Sequence, residues 1–265
     1  GEQRGNVLAL HGFTDYGGAF SRICPRLASH GYRCYAIDQR GFGAAPAAQH
    51  WPGADTLAND MVDVIRALRD QHPDRRQPLF LLGESMGGSV ALLATSGLPA
   101  QALPAGLILA APGVREELPM KPLWDMLLWT AGRVFSGVTV PVHREPDPLL
   151  LDDANDRLLH DPLVQRKVRA DTYYGVTRLA DAAGEAAGEV TLPVLLLYGE
   201  EDGLIHRRSI CAAKADLRGP VELQIYEEGT HLILHWRQQS RVLEDIGRWL
   251  GARGQAPIAS DACRE

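Results

Sequence analysis

Gly83-Glu84-Ser85-Met86-Gly87 sets one hydroxyl between two glycines, with the apolar run Leu79–Leu82 before it and the small, helix-compatible stretch Gly88–Thr95 after it. A G-x-S-x-G between a strand and a helix is a nucleophile elbow. The turn is too tight for side chains at its flanks, so the serine takes a strained backbone conformation and its hydroxyl stands out over the sheet edge. Such a hydroxyl attacks a carbonyl only if a histidine takes its proton and an acid orients the histidine. In this architecture the chain order is serine, acid, histidine. Apolar Pro193–Tyr198 runs into Gly199-Glu200-Glu201-Asp202-Gly203, and Val221–Tyr226 runs into Glu227-Glu228-Gly229-Thr230-His231. Both loops leave the carboxyl end of a strand, where sites of open parallel sheets gather. Ser85, Asp202 and His231 are therefore the expected catalytic residues. Glu200 and Glu201 are alternative acids, although the short G-x-x-D turn favours Asp202. His235 is the alternative base, lying further on where Leu232–Trp236 reads as the start of a helix.

The attacked carbonyl also needs donors for its developing negative charge. One is the backbone N–H of Met86, the residue after the nucleophile; the second comes from the loop after the first strand. That strand is Val7–Leu10 and its loop reads His11-Gly12-Phe13-Thr14-Asp15, which makes Phe13 the expected second donor and Gly12 the point of close approach. His11 is expected to bond backbone and shape this loop. Asp38 and Arg40, at the next strand end, are expected to form a structural ion pair beneath the site.

These pieces together resemble the α/β-hydrolase superfamily, and within it the monoacylglycerol lipase and lysophospholipase branch grouped with serine aminopeptidase-like hydrolases. The resemblance rests on His11-Gly12, on Asp38-Gln39-Arg40-Gly41-Phe42-Gly43, and on the Ser85 elbow with Gly88. It also rests on Asp161-Pro162-Leu163-Val164, on Gly199–Asp202 and on Gly229–His231, so it spans nearly the whole chain. The chain departs from the branch in having Ala44, Ala45 and Pro46 after the D-x-R-G-x-G motif, and Leu232 after the histidine. The resemblance implies a serine ester hydrolase acting on a lipid-like small apolar acyl ester, of the monoacylglycerol or lysophospholipid type, through an acyl-enzyme, without metal or organic cofactor. Thioesterase, peptidase and acyltransferase chemistry use the same three residues, and a hydrolase-like receptor with little turnover is the alternative outside enzymes. The family normally has one or two strands before the first seen here, so an N-terminal segment is expected to be missing; a cytoplasmic location is the expectation.

The elements that must position these residues alternate as strands and helices. Tyr32–Ile37 and Gly106–Ala110 are further strands. Asp55–Arg69 carries Leu57, Met61, Val64, Ile65 and Leu68 at helical spacing, and Val242, Leu243, Ile246, Trp249 and Leu250 line a final helix. The expected fold is α/β: a mostly parallel sheet flanked by helices, with residues 1–112 and 191–265 as the core. Between Gly113 and Val190 the alternation stops for far longer than an ordinary crossover requires, which predicts a helical cap over 113–190. Pro119–Phe135 is crowded with large apolar side chains, more than one packed face needs. This favours an apolar tunnel or a lid that touches membrane surfaces transiently, with Trp124, Leu127 and Leu128 as candidate substrate contacts.

Composition narrows the partners. The 265 residues suit one domain with an insertion, and 27 basic against 33 acidic residues without long charge runs argue against nucleic acid. No apolar run reaches the length, about 18 residues, of a spanning helix. Cys24, Cys34, Cys211 and Cys263 lack metal-ligand spacing. Cys24 and Cys34 are near enough in sequence to meet around a turn, but all four are expected to be reduced and buried as small apolar groups. The tail from Gly251, rich in glycine, alanine and proline, is expected to fray.

Overall fold

The structure, a computed structural model, describes residues 3–72, 77–114, 126, 129–130, 132–134, 136–252 and 263. Six strands form one parallel sheet: β1 (Gly5–Leu10), β2 (Tyr32–Ile37), β3 (Leu79–Glu84), β4 (Gly106–Ala110), β7 (Val194–Gly199) and β8 (Val221–Tyr226), ordered β2-β1-β3-β4-β7-β8. Each lies where the apolar runs predict it, with β1 and β3 longer by two residues and β7 shifted by one.

Four central strands are buried on both faces, and their alternating side chains divide between two cores. Leu8, Leu10, Leu79, Leu81, Leu107, Leu109, Val194 and Leu196 face one core, which includes Leu57, Met61 and Ile65 of α2 (Ala54–Gln71) and Val90 and Ala94 of α3 (Met86–Ser96). Val7, Ala9, Phe80, Leu82, Ile108, Leu195 and Leu197 face the other, with Ile23 and Leu27 of α1 (Ile23–Ser29). A two-sided parallel sheet reads as continuous apolar runs for this reason, since no strand face meets water. Burying one leucine-sized side chain stabilises by about 1.5–3 kcal/mol, so replacing Leu8 or Leu81 by alanine would cost about 2–5 kcal/mol with the cavity included.

The chain steps from β1 outward to β2 and then returns to β3 on β1's other side. Ligands of open α/β sheets bind in the crevice at such a reversal, at the carboxyl ends of the strands. The loop after β1 and the turn after β3 flank that crevice.

Between β4 and β7 lie a two-stranded antiparallel sheet, β5 (Thr139–Pro141) with β6 (Lys167–Arg169), and helices α4 (Asp152–His160) and α5 (Ala170–Ala187). The α5 helix returns along α3, and Leu179, Ala183 and Ala187 join the first core. Ahead of it the segment crosses the carboxyl edge of the sheet. Leu150 bridges Trp236, Leu151 N–H donates to the His235 carbonyl, and Gln165 N–H donates to the Thr14 carbonyl. Trp124, Leu127 and Leu128 lie outside the described residues. Met126, Trp129 and Val134 are exposed. Among the described residues no helix is long and apolar enough to cross a membrane.

The cysteines differ from expectation. Cys24 is joined to Cys34, and Cys211 of α6 (Arg207–Asp216) to Cys263. The turn from α1 into β2 sets Cys24 and Cys34 at a Cα separation of 5.2 Å, and Cys211 and Cys263 lie 5.6 Å apart, both within reach of a disulfide. Of the tail after α7 (Gln239–Gly251), only Ala252 and Cys263 are described.

Candidate active site

Ser85 follows directly on β3, with φ 50° and ψ −115°, a conformation that side-chain-bearing residues rarely adopt. The glycines around it leave no space for a side chain. A Cβ on Gly83 would lie 2.5 Å from the Gly87 carbonyl oxygen, and one on Gly87 would lie 2.1 Å from the Leu10 carbonyl oxygen. Backbone bonds fix the turn: Ser85 N–H donates to the Ala110 carbonyl, and the Ser85 carbonyl accepts from the N–H groups of Gly88 and Gly113 at 2.9 Å each. Such strain persists only where the surroundings over-determine it.

The Ser85 hydroxyl lies 2.9 Å from His231 Nε2, and His231 Nδ1 lies 2.8 Å from Asp202 Oδ2. A carboxylate can only accept, so the ring proton sits on Nδ1 and Nε2 is left to accept from the hydroxyl. The Asp202 side chain has no exposed surface. Its other oxygen accepts from the N–H groups of Leu204 and Ile205 at 2.8 and 2.9 Å, which disperse the buried charge and aim the carboxylate at the imidazole. Glu200 pairs with Arg207 instead. His235 sits in a short 3-10 turn, Ile233–His235, and bonds to Glu84 beneath the elbow.

The N–H of Met86, first residue of α3, and the N–H of Phe13 have no acceptor among the described residues. Gly12 passes so close to the elbow that an added Cβ would lie 3.5 Å from that of Ser85. The Phe13 ring packs edge-on against Phe42 and Tyr173, at 6.0 and 5.6 Å between centroids. His11 bonds backbone: Nε2 accepts from Gln39 N–H at 3.0 Å, so Nδ1 carries the proton and donates to the Gly12 carbonyl at 2.8 Å. Burial lowers its pKa, partly opposed by the Gly12 bond and by the charges of Asp15, Asp38 and Glu84.

Asp38 and Arg40 do not pair with each other. Asp38 accepts from the N–H groups of Gly17 and Ala44, while Arg40 grips Asp60 of α2 through two bonds of 2.7 and 2.8 Å. Two backbone N–H groups of neighbouring turns take up Asp38, and the packing of α2 brings Asp60 within two-bond reach of Arg40.

Other residues at this edge carry weaker signals in the sequence. Asp15 forms a buried ion pair with Arg157 of α4, and the Tyr16 hydroxyl donates to Asp161 at 2.6 Å. Burial and this bond push the Tyr16 phenol up to about 12. Arg144 donates to the Thr14 hydroxyl, and the Gln165 amide donates to the Gly41 carbonyl at 2.6 Å. Glu84 was detectable, as a carboxylate closing an apolar strand needs a partner. Nothing local marks Arg157 or Gln165.

Among the described residues no group of three or more histidine, cysteine or acidic side chains is arranged to hold a metal ion. The geometry can support nucleophilic attack on a carbonyl: a hydroxyl, a base oriented by a buried acid, and two open N–H donors beside the elbow.

Known proteins bear on this arrangement. A monoacylglycerol lipase of Mycolicibacterium smegmatis is 23% identical over 94% of this chain and 89% of its own length. The human monoglyceride lipase is 24% identical over 96% and 84%. The crystal structure of the monoacylglycerol lipase of Paleococcus ferrophilus superposes with a TM-score of 0.80 at 21% identity, covering 95% of this chain and 96% of that one, and so shares the α/β-hydrolase fold. The profile of one family, described as serine aminopeptidase S33, matches residues 1–237. The match runs through the elbow, the Asp202 loop and the His231 turn, and the chain belongs to the serine aminopeptidase S33 family.

Proposed function

We propose that Ser85, His231 and Asp202 form the catalytic triad of a hydrolase acting on lipid-like acyl esters of the monoacylglycerol or lysophospholipid type. The enzyme is a carboxylic ester hydrolase. The observation that carries the triad reading is the unbroken line from the Ser85 hydroxyl through the His231 ring to the buried Asp202 carboxylate, at 2.9 and 2.8 Å. The lipid reading is supported by the names of the M. smegmatis and human relatives.

In the first half-reaction Ser85 Oγ bonds to the ester carbonyl carbon while its proton passes to His231 Nε2. Asp202 holds the ring and stabilises the imidazolium, and the N–H groups of Phe13 and Met86 take up the charge on the carbonyl oxygen. Each such donor is worth about 2.7–4 kcal/mol in the transition state. The imidazolium returns its proton to the leaving alcohol as the C–O bond breaks, and an acyl-Ser85 ester remains. Water then attacks that ester by the same route, giving the free acid and the original hydroxyl. The segment crossing the carboxyl edge covers the acyl chain, with each buried methylene contributing roughly 0.8 kcal/mol.

Labelling by a fluorophosphonate together with hydrolysis of p-nitrophenyl esters from acetate to palmitate tests the reading. Ser85→Ala should abolish labelling and lower hydrolysis by about 10⁴-fold or more while melting as the parent does. The parent should turn over with a chain-length optimum. Labelling that survives Ser85→Ala overturns the triad, and stoichiometric labelling without turnover overturns the hydrolase reading in favour of a receptor.

A further inference from the structure

Glu84 occupies the second position of the elbow, next to the nucleophile and at the end of a strand whose other side chains are apolar. It has no exposed surface. Its Oε2 accepts from His235 Nε2 at 3.2 Å, and its Oε1 has no hydrogen-bond partner among the described residues. A buried carboxylate with one oxygen unbonded is costly. Its presence calls for a function beyond packing.

One group, His235, bonds it directly, and the charges that act on it come from several elements. His235, 4% exposed, and His231 approach from the turn after β8, Arg157 from α4, and His11 from the loop after β1. Arg157 is already engaged by Asp15. Burial by itself pushes the Glu84 carboxyl up, but the charge and hydrogen bond of His235, then the charges of Arg157 and His231, bring it below its ordinary value. The carboxylate is thus an anion in the enzyme's working range, held in a dry interior where charge acts over distance with little screening.

We propose that Glu84 is a positioning residue: its buried carboxylate, fixed by His235, favours the protonated His231 ring that forms as Ser85 gives up its proton. Asp202 touches that ring directly, whereas Glu84 acts on it through the field. Because Glu84 adjoins Ser85 in the chain and His235 shares a turn with His231, the couple also ties the nucleophile's strand end to the base's loop. The inference rests on the Ser85–His231 reading above.

The test is the pH profile of kcat/KM on p-nitrophenyl butyrate, whose acid limb reports proton loss from the base in the free enzyme. On this proposal the Glu84 charge favours the protonated ring, so its removal should let the proton leave at lower pH. Glu84→Gln should move the acid limb to lower pH by roughly half a unit or more and reduce kcat about tenfold with little change in KM. Glu84→Asp should keep the parent's limb. The double variant E84Q/H235Q replaces the couple by two amides that can still bond each other, leaves no orphaned charge if Glu84→Gln does not fold, and should show the same displacement. A limb that stays in place in whichever of these charge-removing variants folds overturns the inference and leaves the triad intact. Fluorophosphonate labelling that persists in Ser85→Ala overturns the triad, and the inference falls with it.

Discussion

Ser85 and Asp202 hang from loops of the parallel sheet and are held by bonds to their own turns and to His231, whose turn is also tied to the segment between β4 and β7 through Leu151 and Asp147. The Phe13 loop, only a few ångströms away, is held largely from outside. Asp15 is gripped by Arg157, Tyr16 by Asp161, and Thr14 by Arg144 and the Gln165 backbone, all from the segment between β4 and β7. On the proposed mechanism the nucleophile and the acid are thus built into the core, and the loop that receives the carbonyl oxygen is set by the segment crossing the site. Changes at Arg144, Arg157 or Gln165 should therefore disturb the Phe13 loop more than the Ser85 elbow.

This contrast can be broken by four measurements. The largest effect is expected from Asp202→Asn, where an amide can donate to Nδ1 and turn the ring to its wrong tautomer. Steady-state kinetics should show kcat falling about 10⁴-fold with unfolding by urea nearly unchanged. Arg157→Met should do the reverse. It strands the buried Asp15 and should cost about 3–5 kcal/mol in urea unfolding, while fluorophosphonate labelling of Ser85 slows but persists. Equal damage to stability and labelling by both variants would erase the distinction. Gln165→Ala removes one bond to the Gly41 carbonyl and should cost about 1 kcal/mol by the same unfolding measurement.

The smallest effect concerns His11, whose folded pKa is held below its ordinary value of 6.5 by burial. Its contribution to stability is complete above that value and is lost as pH falls from it toward the folded pKa, because the unfolded ring takes a proton that the folded ring refuses. Melting temperatures measured between pH 7.5 and 5.5 should decline less steeply in His11→Asn than in the parent. Identical slopes would assign the decline to other groups.

Which features could be read from the sequence follows from how local their causes are. The strands are legible because burial on both faces leaves unbroken runs such as Leu79–Leu82. The elbow is legible because steric crowding at Gly83 and Gly87 dictates residue type within five positions. The proximity of Ser85, Asp202 and His231 follows from loop order at the ends of parallel strands. Arg40 was assigned the wrong partner because Asp60, its actual one, sits on the α2 face, and only the packing of that helix brings it near. The Asp15–Arg157 and Glu84–His235 pairs join positions 142 and 151 residues apart, a separation over which no periodicity carries information. Cys263 gave no hint of Cys211 for the same reason.

That last bond encloses β8, the His231 turn and α7 within one covalent ring of the chain, its ends 52 residues apart. A ring of this size narrows the unfolded ensemble by about 4 kcal/mol on the chain-entropy account. Thiol reductants should therefore lower the stability of the whole chain. The redox poise of the surroundings, through a tether remote from Ser85 and His231, then bears on what fraction of the chains is folded.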